Sequence, residues 1–247
     1  MPISELPTFT YDQTLRGSFH LPARMTVLPL GEGKIALVSP IPIDDALAKK
    51  LRELGQVQYL IAPNMLHDLY LSAAIERYPE ALVLTPPALA KKRPALPVHG
   101  TLDAELPGEL SRAVEMIRFR GAPSVDEYVF YHRATRTLVV TDLAFNIERP
   151  RGLLANVVLF LMGCHRRFGQ SRSFRYFVKD RSAAAEAAAR MLSLPFQTLV
   201  MAHGEIVRDD AQAKLAGVLR WLTRRRPALP AAPRALGEHA ESPEHSN

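Results

Sequence analysis

His67, Asp68, Asp142, His203 and Glu205 each follow an apolar run or stand in the turn after one. The run Val57 to Ile61 stops at Pro63-Asn64, and His67-Asp68 comes three residues later. Leu138-Val139-Val140-Thr141 ends in Asp142, and Phe196 to Met201 ends in Ala202-His203-Gly204-Glu205. Imidazole and carboxylate are the donors of a borderline-soft divalent ion such as zinc, or of iron or manganese where oxygen dominates. His67 with Asp68, Asp142 and His203 form the constellation of candidate ligands. Each residue also has a structural reading. Asp142 can close its strand as an Asx turn, Asn64 can tie down its turn, and Asp68 and Glu205 can be caps or surface charges. What points to a site is that three strands end this way, because ligands of open α/β sheets bind at the carboxyl ends of strands.

The elements that must position these groups follow from periodicity. Met25 to Leu30 and Lys34 to Ser39 are short β-rich runs around Gly31-Glu32-Gly33, which predicts an antiparallel hairpin. Asp44 and Asp45 offer N-cap chemistry to a helix carrying Leu47, Leu51 and Leu54 on one face and closed by Gly55. Val57, Tyr59, Leu60 and Ile61 form a nearly continuous apolar run, as in a strand covered on both faces. Leu66, Leu69, Tyr70 and Ala73 recur at helical spacing, so His67 and Asp68 are expected on the first helical turn after that strand. Ala81 to Thr85, Val114 to Phe119, Glu127 to His132, Thr137 to Thr141 and Phe196 to Met201 read as further strands. Helices are expected over about 152–163, 180–192 and 208–224. Residues 1–24 read as an irregular lead-in, 25–226 as a single domain with a helical insertion at about 150–180, and 227–247 as a disordered tail. Glu127 and Asn146 are expected to support the site or its turns, His132 to make local hydrogen bonds, and His99 to lie in an exposed loop.

Composition bounds the rest. With 47% hydrophobic and 23% charged residues the chain reads as an ordinary globular protein able to bury a sizeable core. The net charge of +6 comes largely from arginine, much of it between Arg149 and Arg181. A solvated basic face accounts for this, with Arg172, Arg175 and Lys179 as candidate contacts for an anionic substrate. No interleaving of basic and aromatic residues suits stacked bases, so no nucleic-acid partner is expected. A single cysteine, Cys164, excludes an intramolecular disulfide, and the first residues have no signal-peptide pattern; a cytoplasmic protein is expected. Leu153 to Gly163 is the longest apolar stretch and is too short for a membrane span. Being apolar all round, it is expected to bury against a neighbour, as a homodimer contact, a lid over the site, or a contact with a membrane surface. Neither a Gly-x-Ser-x-Gly elbow nor a phosphate-cradling glycine loop is present.

The phrases VSPIPIDD, GQVQYLIAPNMLHDLYL, DEYVFYHRATRTLVVTDLAFN and MAHGEIV, in this order, resemble an uncharacterised, domain-of-unknown-function branch of the metallo-β-lactamase-like superfamily. The resemblance covers about residues 25–222 and implies an α/β (α+β) fold, the αββα sandwich. The superfamily motif Thr-His-x-His-x-Asp-His falls on Ala62 to Asp68. Neither leading histidine is present, and the final Asp-His pair appears as His67-Asp68. Gly121 is followed by Ala122 rather than histidine, whereas Asp142 and His203 match the later ligands. The resemblance therefore implies no dinuclear centre, and at most a degenerate, mononuclear site of His67, Asp142 and His203, with Asp68 or Asn64 as further candidate ligands and Asp68 or Glu205 as the spare carboxylate that could act as general base. It implies a metal-dependent hydrolase acting on a small ester, lactone, thioester or phosphoester. The alternative is a catalytically inactive, metal-free member serving as a binding or scaffold domain.

Overall fold

The structure, a computed structural model, describes residues 4–15 and 19–223; the tail expected over 227–247 lies outside the described residues. Thr8–Leu15 (β1) and Phe19–Gly31 (β2) pair antiparallel from Thr8 opposite Thr26 to Leu15 opposite Phe19. The irregular lead-in expected before residue 25 is therefore largely a β-ribbon. Pro22 lies where β2 pairs with β1 alone, because pairing with the next strand begins only at Thr26. A residue without an N–H is tolerated where one strand edge has no neighbour.

The expected hairpin follows, with Lys34–Val38 (β3) antiparallel to β2. Asp45–Leu54 (α1) starts at Asp44, whose carboxylate accepts the Leu47 N–H at 2.7 Å, and stops at Gly55. Gln56–Ile61 (β4), Leu71–Arg77 (α2), Leu82–Thr85 (β5), Pro87–Lys92 (α3) and Gly100–Thr101 (β6) complete a six-stranded sheet in the order β1-β2-β3-β4-β5-β6. It is parallel from β3 onwards. Gly108–Ala113 (α4) leads into Val114–Arg118 (β7), Tyr128–His132 (β8) and Thr137–Val139 (β9), an antiparallel meander. Phe145–Asn146 (β10), Leu153–Met162 (α5), Phe168–Gly169 (β11), Arg172–Phe177 (α6) and Arg181–Leu192 (α7) come next. Thr198–Val200 (β12) then pairs parallel to β9, and Ala211–Thr223 (α8) closes the described chain.

Strand alternation sorts the core into layers. Ala36, Val38, Tyr59, Ile61 and Leu84 of the first sheet face Tyr128, Phe130, Val139 and Val200 of the second. Their neighbours Ile35, Leu37, Leu60 and Val83 point the other way, onto Leu51, Leu71 and Ala74 of α1 and α2. On the far side Val129, Tyr131, Leu138 and Leu199 meet Ala184, Ala188 and Met191 of α7 and Leu215 and Leu219 of α8. The result is helix, sheet, sheet, helix, which is how two sheets that are each apolar on both faces bury all four. At about 1.5–3 kcal/mol per fully buried Leu, Ile, Val or Phe, this burial is the main stabilising term.

At the end of β3 away from the strand termini that matter below, Lys34 donates to Glu109 of α4 at 2.8 Å, and the Tyr59 hydroxyl donates to the same carboxylate at 3.1 Å. The Lys34 bond, the backbone amide of Glu109 itself and the Tyr59 hydroxyl hold the Glu109 carboxyl down to about 2. A carboxyl lower in the folded than in the unfolded state stabilises the fold above its unfolded value of about 4.3, and that contribution disappears as pH falls through the folded value. Glu109→Gln is therefore expected to be less stable than wild type near neutral pH, with the gap closing as pH falls toward about 2. Denaturant midpoints across the acid range check this; a gap independent of pH contradicts it.

Candidate metal centre

Pro63 ends β4 at the edge where the two sheets meet. Its carbonyl accepts the Tyr128 N–H at 2.8 Å and the Met65 N–H donates to Val125 O at 2.9 Å, so the loop after β4 is laced to the second sheet. Asn64, fully buried, accepts the Leu66 and His67 N–H groups on Oδ1 at 2.8 and 3.0 Å. Those bonds replace the helical turn expected there. His67 and Asp68 lie in an Asx-type loop, and α2 begins only at Leu71.

The loop sets His67 against Asp142, with Nε2 3.3 Å from Oδ2. Asp142 follows β9, and its Oδ1 is 3.5 Å from Nε2 of His203, which follows β12. One ligating atom from each of the three lies within 4.8 Å of the others. So the structure brings together the three residues singled out as ligands. The far side of each imidazole is also held. Ser39, at the end of β3 with φ 55°, places Oγ 2.6 Å from His67 Nδ1. His203 Nδ1 donates to the Pro22 carbonyl at 2.7 Å, and Phe145 stacks on its ring at 5.1 Å and 11°. A carbonyl only accepts, so the His203 proton sits on Nδ1, and in the neutral ring the Nε2 lone pair faces Asp142.

Asp142 is 9% exposed and receives a bond from Asn64 Nδ2 at 2.8 Å. Burial opposes its charge, but the two imidazoles in their protonated, hydrogen-bonding form outweigh this and hold its carboxyl well below the usual range. Beneath it lies the fully buried Glu127, whose carboxylate accepts the N–H groups of Thr141 and Asp142 at 2.7 and 3.0 Å. Burial, and then the Asp142 charge, push Glu127 up. The turn carrying His203 is held as firmly. Buried Arg24 donates to Met201 O and Gly204 O at 2.9 and 2.6 Å, and Asn146 exchanges backbone bonds with His203 and Glu205. Gly204 has φ 100°, and a Cβ there would stand 2.1 Å from Asn146 O.

The proposed bases are not delivered to the cluster. Asp68 turns to Arg93, 2.7 Å away, and Glu205 lines a separate recess with Arg24, Arg149 and Arg151. His132 bonds locally to Thr135 and also to the Pro29 carbonyl, 103 residues away, and His99 accepts the Val83 N–H at 3.1 Å. Sequence reasoning missed Ser39, Pro22 and Phe145. Only Ser39 carried a signal, as a hydroxyl at the end of a strand run.

The cluster forms the floor of a cavity of about 240 Å³ walled by Leu15, Leu21, Ala23, Leu66, Leu69 and Tyr70, with Gln13 and Ser39 as polar members. Leu21, Leu66 and Asp142 also border a second, smaller cavity of about 150 Å³ lined by Phe19, Phe145, Met162, Phe174 and Phe177.

Two substitutions probe this framework. Asn64→Ala removes four hydrogen bonds and leaves buried partners unsatisfied, so it is expected to cost on the order of 3 kcal/mol. Gly204→Ala forces a Cβ into a carbonyl at positive φ and is expected to cost about 1–3 kcal/mol. Denaturant unfolding measures both, and a neutral result at either position contradicts the geometry.

The family described as Domain of unknown function (DUF4336) matches residues 7–160. No curated protein matches the chain. Among solved structures the chain is similar to DIM-1 metallo-beta-lactamase exposed to ceftazidime, at 14% identity and TM-score 0.58 over 87% of this chain and 92% of that one. A metallo-beta-lactamase from Pontibacter korlensis is similar at 14% identity and TM-score 0.55 over 87% and 99%. The metal-soaked Flv1 flavodiiron core from Synechocystis sp. PCC6803 is similar at 16% identity and TM-score 0.56 over 90% of this chain and 60% of that one. At such identities the likeness is one of fold. The family match takes in His67 and Asp142 and more than half of the 247 residues, and the chain therefore belongs to the DUF4336 family and has the metallo-β-lactamase fold.

Proposed function

We propose that this protein is a metal-dependent hydrolase in which His67, Asp142 and His203 hold a single divalent ion and the adjoining cavities take a small, largely apolar ester, lactone or thioester. The observation that carries the reading is the pointing of His203. Its Nδ1 proton is committed to the Pro22 carbonyl, so the neutral ring turns a lone pair toward a carboxylate 3.5 Å away, an arrangement a cation between them relieves. Two imidazoles and one carboxylate suit zinc, iron or manganese and leave further coordination positions open. When bound, such an ion supplies a water of lowered pKa and polarisation of a carbonyl oxygen.

The chain's own residues supply the rest. Ser39 and Pro22 fix the imidazoles, while Asn64 and the Glu127-held turn fix Asp142. Leu21, Leu66 and Leu69 give the cavity apolar walls for the acyl part of the substrate. Tyr70, whose hydroxyl pKa is raised by burial and then by Tyr11, stays protonated at neutral pH, lines the same cavity and is the donor this reading assigns to a substrate oxygen. Among the described residues the walls of both cavities carry leucine, phenylalanine and neutral polar groups and neither lysine nor arginine, which favours an acyl substrate over a phosphoester. A second reading, a metal-free binding domain, has its own support. If the histidines are protonated, they and Asn64 satisfy Asp142 without an ion.

Metal content of untagged protein purified without chelator separates the two, with His67→Ala and His203→Ala alongside. Near-stoichiometric zinc, iron or manganese is expected in wild type and loss in both variants. Added ion at about a hundred times its Kd is expected to stabilise only wild type, by about 2.7 kcal/mol. Wild type that stays metal-free and unshifted after incubation with these ions overturns the hydrolase reading.

A further inference from the structure

Helix α5 has two apolar faces. Ala155 and Leu159 are buried against the protein, while Leu153 (81% exposed), Val157 (47%), Phe160 (68%) and Leu161 (62%) form a stripe at helical spacing that faces solvent. Residues 149–179 contain seven basic residues, Arg149, Arg151, Arg166, Arg167, Arg172, Arg175 and Lys179, and no acidic one. Among the described residues only Arg151 meets a carboxylate, that of Asp12. The side chains of Arg167 and Arg172 crowd Gly163 at the C-terminal end of α5, and each donates to a carbonyl of its last turn or cap. On α6, Tyr176 is 73% exposed, with the Lys179 ammonium 4.1 Å from its ring centre.

We propose that α5 and its arginine collar dock this protein on an anionic lipid bilayer, the helix lying in the headgroup region with its outer stripe toward the acyl chains. No helix among the described residues is long and apolar enough to cross a membrane, so this is attachment in the plane of the surface. Charge complementarity selects the occupant. In a symmetric contact with a second copy, seven basic residues would face seven, with only the acids bordering the segment, Glu148, Asp180 and the recess of Asp12 and Glu205 beside Arg149 and Arg151, to answer them, whereas an anionic leaflet answers each guanidinium with a phosphate. The apolar stripe supplies the hydrophobic part of the attachment, and the basic residues supply the long-range attraction and the preference for lipid of negative charge.

Co-sedimentation of the full chain with vesicles of phosphatidylcholine alone, or of phosphatidylcholine mixed with phosphatidylglycerol, tests this. Binding to the mixed vesicles, weakened by added salt, and little binding to the neutral ones are expected. The double variant Phe160→Asp with Leu161→Asp, and separately Arg149→Glu with Arg166→Glu, are each expected to lower the partition coefficient at least about tenfold. All four side chains are exposed, and unchanged unfolding midpoints verify that these variants fold. Absence of vesicle binding by wild type, equal binding by wild type and the charge-reversal variant, or a wild-type dimer that the Phe160 and Leu161 changes convert to monomer without any vesicle binding overturns the proposal.

Discussion

The charge of Asp142 is the constraint on which the rest of the site depends. Taking a carboxylate out of water costs several kcal/mol unless it is paired and hydrogen-bonded, and here it sits where two sheets join. Its partners come from distant parts of the chain: Asn64 and His67 from the loop after β4, and His203 from the turn after β12. Each partner is itself held by the backbone. The loop after β4 is laced to residues 125–128, and the His203 turn is clamped by Arg24 and Asn146. The parts of the site therefore reinforce one another. Glu127, buried beneath Asp142, fixes the direction of the carboxylate by fixing the peptide that carries it.

Much of this was legible in the sequence, because buried strands and capped helices leave strong local signals. Asp44 and Gly55 bound α1 as their chemistry requires, and the apolar runs at 57–61, 137–141 and 196–201 contain strands that end near the three candidate ligands. What was not legible depended on partners remote in sequence. The strand character of residues 8–15 and 19–24 is set by mutual pairing beyond the reach of β3, which no periodicity inside those segments encodes. The helical spacing of Leu66, Leu69, Tyr70 and Ala73 lost to the Asn64 side chain, which takes the amides a first turn would need. Asp68 and Glu205 looked available for catalysis because a sequence shows that a carboxylate is near a strand end and not which way it turns.

The region around α5 shows a related limit. An all-apolar helix has no visible face, so its sequence does not separate the side packed on Cys164 and Phe145 from the side left to solvent. Only the fold does that. The acid-free run of arginines around it, by contrast, is a property of composition and was visible from the start, though its placement around the helix was not.

Arg24 lies at one end of the chain and the carbonyl of Gly204 near the other, 180 residues apart, and the bond between them joins the first ribbon to the last strand turn. During synthesis the ribosome must release nearly all of the described chain before this contact can close. Until then Arg24 lacks the two carbonyls it donates to, and the first sheet lacks the contact with Val200 of β12. Non-local closure of this kind is slow, and the half-finished chain exposes the inner face of β3 and β4 meanwhile. The cluster of His67, Asp142 and His203 is thus complete only once the segment through β12 and the turn after it has been made and folded back onto β2.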